Sequence, residues 1–390
     1  MTSRTRSTFN PPVMAAGKWL QGVTFTEDRP LINVCQAAPV DPPPAPLRRV
    51  IADAALTNDA AHLYGPDLGM PELRAELAGK WRRAYGGEVS ENQVAITSGC
   101  NQGFAAAIMA LTGAGDEVII PTPWYFNHKM WLDMCDVTAV PLPTGPDMRP
   151  DPEEAAALIT PRTRAIALVS PNNPAGVEYP PELIRAVFDL CRARGIKLIL
   201  DETYRDFHAS SAPPHDLFRE SNWPDTLIQL YSFSKAYRLT GHRVGAMTAA
   251  APFLSEVEKF IDAVTICPNQ LGQIAALWGL QNLDQWLAGE RDEILDRRAA
   301  ITDGLPKIAE KGWKLLGLGA YFAYFEHPFD MPSDELAPWL VREHGVLLLP
   351  STMFRPDDDP RGKRELRMAF ANLDRAGIGR LYDRLAQIEP

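Results

Sequence analysis

Lys235 lies in the run Ser232-Phe233-Ser234-Lys235-Ala236-Tyr237-Arg238-Leu239-Thr240-Gly241-His242-Arg243, between two apolar stretches, Leu227–Tyr231 and Val244–Met247. A lysine held at the end of a buried strand loses water. That disfavours its charged form and leaves a neutral, nucleophilic amine near neutral pH. Arg243, eight residues on, offers a planar fork suited to a phosphate. An amine and a phosphate clamp together suit a Schiff base with a phosphorylated aldehyde, pyridoxal 5′-phosphate (PLP). Read alone, Ser-x-x-Lys is an ordinary surface loop; the other motifs of the chain change that reading.

Thr97-Ser98-Gly99-Cys100-Asn101-Gln102-Gly103 joins an apolar run to a helical pattern. Its small residues let backbone approach a ligand, and the N–H groups of a helix start attract an anion. An ordinary strand-to-helix turn is the plain alternative. Ser170-Pro171-Asn172-Asn173-Pro174-Ala175-Gly176 follows another apolar run. Its turn formers fix the loop, so Asn173 either offers its amide to a ligand oxygen or bonds its own backbone. Asp201-Glu202-Thr203-Tyr204 follows Ile199-Leu200. A carboxylate at the mouth of a buried strand needs a cationic partner, such as a protonated pyridine nitrogen. Tyr204 stands close enough in sequence to reach the phenolic oxygen of the same ring, while a helix cap remains the alternative role for Asp201.

Elements must bring these motifs together. Strand-like runs at Val94–Thr97, Glu117–Pro121, Val137–Leu142, Ala165–Ser170, Lys197–Leu200, Leu227–Ser232 and Val244–Ala249 alternate with helical patterns such as Asn101–Leu111 and Pro181–Arg194. Several of these runs are apolar throughout, as strands buried on both faces are. The alternation predicts an α/β fold with a largely parallel sheet, whose ligands bind beyond the strand ends. Residues 1–45 read as an N-terminal arm and 46–285 as a large α/β domain. Residues 286–390, with strands near Tyr321–Phe325 and Val346–Pro350 and helices near Ser333–His344 and Arg375–Ile388, read as a smaller α+β domain.

Composition sets further bounds. The chain has 390 residues, 46% hydrophobic and 23% charged, which suits a globular protein. A net charge of −10 argues against a nucleic-acid partner. Five scattered cysteines without CxxC spacing read as reduced thiols of a cytoplasmic protein, and seven histidines show no metal-ligand spacing, so no metal is expected. No apolar run approaches the roughly 20 residues of a membrane span. No apolar stretch follows Arg4 and Arg6, so no signal peptide is expected.

From about residue 30 onward the chain resembles the fold-type I PLP enzymes of the class I/II aminotransferase family, the aspartate aminotransferase superfamily. The resemblance rests on Tyr64-Gly65-Pro66-x-x-Gly69, Ser98-Gly99-Cys100-Asn101, Pro121-x-Pro123-x-Tyr125, Asn172-Asn173-Pro174-x-Gly176, Asp201-x-x-Tyr204, Ser232-x-Ser234-Lys235-x7-Arg243 and Leu366-Arg367-Met368-Ala369-Phe370. Each motif is weak alone; the series in this order is specific. The resemblance implies that Lys235 forms the internal aldimine and moves the substrate Cα proton, and that Asp201 keeps the pyridine nitrogen protonated. It implies that Asn173 and Tyr204 bond the ring oxygen and Tyr125 stacks on the ring. Gly99, Cys100, Asn101, Ser232, Ser234 and Arg243 would hold the phosphate, joined by Tyr64 from the partner subunit of a homodimer with shared active sites. Arg367, with Ala37 and Asn173 nearby, would bind the substrate.

The chain departs from the family at points that bear on substrate. Ala37-Ala38-Pro39 stands where a Gly-x-Pro loop is usual. Phe260–Asn269 holds no arginine or lysine, and Asn101 stands where one branch has a lysine, so neither recognisable reader of a second carboxylate is present. Trp19, Phe25, Trp124 and Ile266 are the expected pocket residues, which favours a neutral or aromatic amino acid and a broad range. The resemblance implies a ping-pong aminotransferase acting on an amino acid and a 2-oxo acid. A β-lyase of the cysteine–sulfur type would use the same Lys235, Asp201 and Arg367. A PLP-binding regulator would need a DNA-binding region ahead of the fold, and residues 1–45 carry no basic helix-turn-helix pattern.

Overall fold

The computed structural model describes residues 3–389. In chain order its strands are β1 (Ile32–Asn33), β2 (Val94–Thr97), β3 (Glu117–Thr122), β4 (Thr138–Pro143), β5 (Thr163–Val169), β6 (Lys197–Asp201), β7 (Leu227–Ser232) and β8 (Gly245–Thr248). They are followed by β9 (Lys314–Gly319), β10 (Phe322–Glu326), β11 (Val346–Leu347), β12 (Leu349–Pro350) and β13 (Glu365–Met368). Seven strands form the main sheet in the order β2-β8-β7-β6-β5-β3-β4. Neighbours pair in parallel except β8, which runs antiparallel to both β2 and β7.

Side chains alternate across these strands, and the alternation decides what each face does. On β6, Leu198 and Leu200 join one apolar cluster, with Trp81 and Tyr85 of the Pro71–Tyr85 helix and Phe188 of the Pro181–Arg194 helix. Ile199 faces the other way, into a cluster with Phe104 and Ile108 of the Cys100–Leu111 helix. Both faces are covered, so the strands carry apolar residues at successive positions; burying each such Leu or Ile is worth about 1.5–3 kcal/mol. The two helices behind the sheet open on Pro71 and Pro181 and end at left-handed Gly86 and Gly195, where the missing Cβ removes the penalty for positive φ.

A second core gathers β9, β10, β13 and the Arg375–Ala386 helix around Phe322, Phe325, Leu366 and Leu381. Ile32 and Val34 belong to it, and β1 pairs in parallel with β11. The Asp284–Ala309 helix serves both cores: Leu287 packs in the first and Ile294 in the second. The short Pro12–Gly17 helix of the arm is pinned by a smaller cluster, in which Ala16 meets Phe126, Leu349 and Phe354. Among the described residues, no helix is long and apolar enough to cross a membrane.

Candidate active site

The C-terminal ends of β5, β6 and β7 open onto a cavity of about 340 Å³. The alternation that buries Ile199 places Asp201, two residues on, toward this cavity. By the same rule Ile228 and Leu230 on β7 bring Ser232 to it. Cys100, Asn101, Tyr125, Asn173, Tyr204, Ser234, Lys235, Arg243, Arg367 and Ala37, all expected from the sequence, share the same lining.

Lys235 follows β7 on a single helical turn, Phe233–Ala236. Its Nζ donates to the Ala37 carbonyl at 2.6 Å and stands 5.9 Å from the Tyr204 ring centre. Burial, and then the charges of Arg243 and Arg367, bring its pKa down to about 8. The amine is therefore far easier to deprotonate than a surface lysine.

Asp201 accepts the Thr203 N–H at 2.9 Å through Oδ1, which fixes the turn after β6; it caps no helix, since the next helical turn, Arg205–Phe207, starts after Tyr204. Its Oδ2 lies 3.3 Å from His128 Nε2, and His128 is buried and stacked on Phe104 with ring centres 3.7 Å apart. Sequence reasoning missed His128. Its one signal was a position three residues after Tyr125, on the helix Phe126–Met134, and that spacing alone is not specific. In the Ser170–Gly176 loop the two asparagines divide the alternatives: Asn172 Oδ1 caps the Ala175 N–H at 2.9 Å, while Asn173 Oδ1 accepts from Arg367 at 3.1 Å.

Arg367, on β13, is fully buried in chemistry that does not satisfy it. Nη1 reaches Asn173, Nη2 donates to the Cys35 carbonyl, and Nε has no partner. The guanidinium lies 5.0 to 6.0 Å from the rings of Phe354, Phe322 and Phe126.

Pyridoxal phosphate needs an anion site beside the lysine, and the backbone here leaves room for one. Gly99 has φ +83, and a Cβ there would run into the Arg243 guanidinium; a Cβ at Gly245 would lie 2.6 Å from the Cys100 amide nitrogen. Backbone is thus pared back where the Cys100–Leu111 helix begins, and the first amides of that helix have no intrahelical acceptor. Arg243 reaches Ser234 Oγ at 3.4 Å, which puts an arginine and a hydroxyl beside those amides. A phosphate, an aldehyde and a ring nitrogen all find complementary groups here, so the residues fit.

Several expectations need correction. Trp19 and Phe25 do not line the cavity; they pack in the apolar cluster that pins the arm. Trp124 is buried against the Cys100–Leu111 helix side of the sheet, and Ile266 is exposed. An apolar residue carries no mark that separates pocket wall from core. In their place the arm supplies Pro11, Val13 and Met14, with Gln36, Phe126 and Asn127. Tyr64, expected to serve a partner's site and not its own, lies outside this chain's cavity and is 80% exposed. Gly99 shapes the phosphate corner through its missing side chain and is not itself a lining residue.

A mostly parallel seven-stranded sheet that gathers its polar residues at the strand ends around one lysine is the architecture of a fold-type I PLP enzyme. The family described as aminotransferase class I and II matches residues 27–385, and the chain belongs to that family as a PLP-dependent aminotransferase. It is 30% identical over 366 residues to a valine–pyruvate aminotransferase of Mycobacterium tuberculosis, covering 93% of this chain and 92% of that one. It is 27% identical to a methionine aminotransferase of Escherichia coli, over 92% of this chain and 93% of the relative. Among solved structures, Thermus thermophilus aspartate aminotransferase (a single mutant) superposes with a TM-score of 0.87 at 25% identity, over 99% of each chain.

Proposed function

We propose that this aminotransferase moves an amino group between a neutral or aromatic L-amino acid and a 2-oxo acid, in two half-reactions of a ping-pong cycle. The observation that carries this is the charge inventory of the cavity. Its basic lining residues are Lys235, Arg243 and Arg367, and its acidic one is Asp201. Once amine, phosphate and α-carboxylate are served, no cation remains for a second carboxylate among the described lining residues of this chain. The surface left for a side chain is Pro11, Val13, Met14 and Phe126. Relatives named for valine, methionine and aromatic substrates support the reading, although others are named for aspartate.

When bound, PLP supplies the electron sink that weakens the substrate Cα–H bond. The protein supplies the rest. Lys235 would provide the amine and move the Cα proton. Asp201, beside His128, would keep the ring nitrogen protonated. Tyr204, Asn173 and Tyr125 would hold the ring, and Ser232, Ser234, Arg243 and the amides of Cys100 and Asn101 would hold the phosphate. Arg367 would orient the α-carboxylate by its fork, and Pro11, Val13 and Met14 of the arm would line the side-chain end.

We also propose a homodimer. Leu63, Tyr64, Val264 and Ile266 are exposed, and the Gly65 N–H meets Cys267 Sγ at 3.4 Å, which sets their two segments side by side. An apolar patch of this kind suits a second copy, and it would bring Tyr64 to the partner's phosphate corner. The reading further takes 46–285 as the large domain and 286–390, joined by the arm, as the smaller one.

The test is a spectrum. The PLP-loaded protein is mixed with each standard amino acid without acceptor, and the visible band of the cofactor is followed. Rapid bleaching by neutral and aromatic acids, with slow response to aspartate and glutamate, is the expected result. Fastest response to aspartate or glutamate overturns the substrate reading. Release of pyruvate and ammonia with the band restored overturns transamination.

A further inference from the structure

The strand alternation that sends Asp201 into the cavity sends Glu202 to the opposite face of the sheet, where a second polar cluster is buried. Tyr85, the last residue of the Pro71–Tyr85 helix, is its hub. The Tyr85 hydroxyl donates to Glu202 Oε2 at 2.7 Å and accepts from Arg205 Nε at 2.7 Å and from Gln229 Nε2 at 3.1 Å. His215 stacks on its ring with centres 4.5 Å apart, and its Nε2 lies 3.4 Å from the same Glu202 oxygen. Arg205 continues to Asp206 at 2.9 Å, which accepts from the Tyr231 hydroxyl at 2.6 Å. Tyr85, Glu202 and Gln229 are 0% exposed and His215 is 1% exposed.

The placement of these contacts matters more than their number. Glu202 directly follows Asp201, and Arg205 directly follows Tyr204. One hydroxyl therefore ties Glu202, inside the cofactor-facing turn Asp201–Tyr204, to Arg205, the residue just after it. Through Asp206 and Tyr231 the same cluster reaches the residue before Ser232, where the Lys235 turn begins. A buried hydroxyl bonded on three sides leaves little freedom to the groups it joins.

We propose that Tyr85 is a positioning residue for the reaction: from behind the sheet its hydroxyl, by bridging Glu202 and Arg205, fixes the turn that presents Asp201 and Tyr204 to the cofactor. The proposal rests on the PLP reading of the cavity. Two groups that must meet different atoms of one ring must keep their separation, and a shift of about 1 Å in such an arrangement costs roughly 100-fold in rate.

Tyr85→Phe removes the hydroxyl and keeps the ring. The first readout is the pH midpoint of the visible cofactor band, which reports the balance of charge around the ring and not stability. The expected result is a shift of roughly half a pH unit or more, with kcat reduced about 10-fold to 100-fold and KM for the amino donor little changed. Tyr382→Phe is the control, since it also loses a buried hydroxyl, bonded to the Ile301 carbonyl at 2.8 Å in the second core. It is expected to leave the band midpoint where it is. Should Tyr85→Phe not fold, Glu202→Gln carries the same test with the same expectation. An unchanged midpoint and kcat in whichever variant folds, or an equal shift in Tyr382→Phe, overturns the proposal. Failure of the PLP reading looks different: the unsubstituted protein itself would develop no visible band with PLP.

Discussion

Two buried polar clusters lie back to back across the seven-stranded sheet, and they differ in charge balance. The cavity side holds three cations, Lys235, Arg243 and Arg367, against one carboxylate, Asp201. The far side sets Glu202 and Asp206 against Arg205 and Lys80, and these groups are largely bonded to one another through tyrosine hydroxyls. Each side has a histidine on its carboxylate, His128 on Asp201 and His215 on Glu202. Neighbouring residues of one strand thus enter opposite regimes. Excess positive charge around open space calls for anions, which on the proposed reading are a phosphate and an α-carboxylate. A cluster whose carboxylates and cations face one another serves as scaffold. Burial favours the ionised forms only where partners are supplied: His215 and Arg205 overcome the desolvation of Glu202 and hold it below the ordinary carboxylate range.

The contrast is broken most severely by Lys235→Ala. Loss of both nucleophile and base is expected to remove the visible band and to cut turnover by about 10⁴-fold or more, with the cofactor-free protein no less stable than before, because the cost of the buried ammonium goes with the side chain. Surviving turnover would remove Lys235 from the chemistry. Glu202→Ala is the counterpart on the far side. Stranding Arg205 and His215 is expected to destabilise the fold by about 3–5 kcal/mol, read as a lower urea midpoint at unchanged slope; a neutral result would mean the balance is not structural. Arg367→Ala is expected to raise KM for amino acids and oxo acids alike, by roughly 2–5 kcal/mol of lost binding, whereas an effect on one substrate alone would assign Arg367 to a side chain. Asp201→Asn keeps the shape but not the charge, and a loss of roughly 10²–10³-fold in kcat with PLP retained is expected.

The smallest effect is a pH dependence. The Lys235 value of about 8 lies below the ordinary 10.5, because of burial and the neighbouring arginines. The folded state therefore binds fewer protons at this site than the unfolded state between those values, and its stability rises with pH across that window. Below about 8 the folded chain carries the full cost of a buried ammonium. The loading rate of the cofactor-free protein with PLP is accordingly expected to rise through pH 8 and then level, as the neutral amine becomes dominant. A rate still climbing at pH 10 would mean the amine is not perturbed.

The sheet and most of the cavity were legible in the sequence for a physical reason. Buried parallel strands are apolar runs, and the loops beyond them carry turn formers and polar residues at fixed offsets, as in Ser170–Gly176 and Asp201–Tyr204. His128 was not legible, because what marks it is a 3.3 Å approach to Asp201 from a separate helix. Val13 and Met14 were not legible either: only the fold-back of the arm onto Phe126 and Phe354 brings them to the cavity. Trp19, Phe25 and Trp124 show the reverse error, since large apolar residues satisfy a core as readily as a pocket. The far-side cluster went unread for a similar reason. Tyr85 ends a helix 117 residues before Glu202, and nothing local connects them.

The three phenyl rings around Arg367 carry a consequence for what the enzyme refuses. A guanidinium set among Phe126, Phe322 and Phe354 has little access to water, and its Nε has no protein partner. A primary amine lacking the carboxylate would enter the same cavity and leave that charge uncompensated. Sites built around a buried polar contact reject analogues that lack it by roughly 10⁴–10⁵-fold, so decarboxylated amines should be excluded far more strictly than one side chain is told from another.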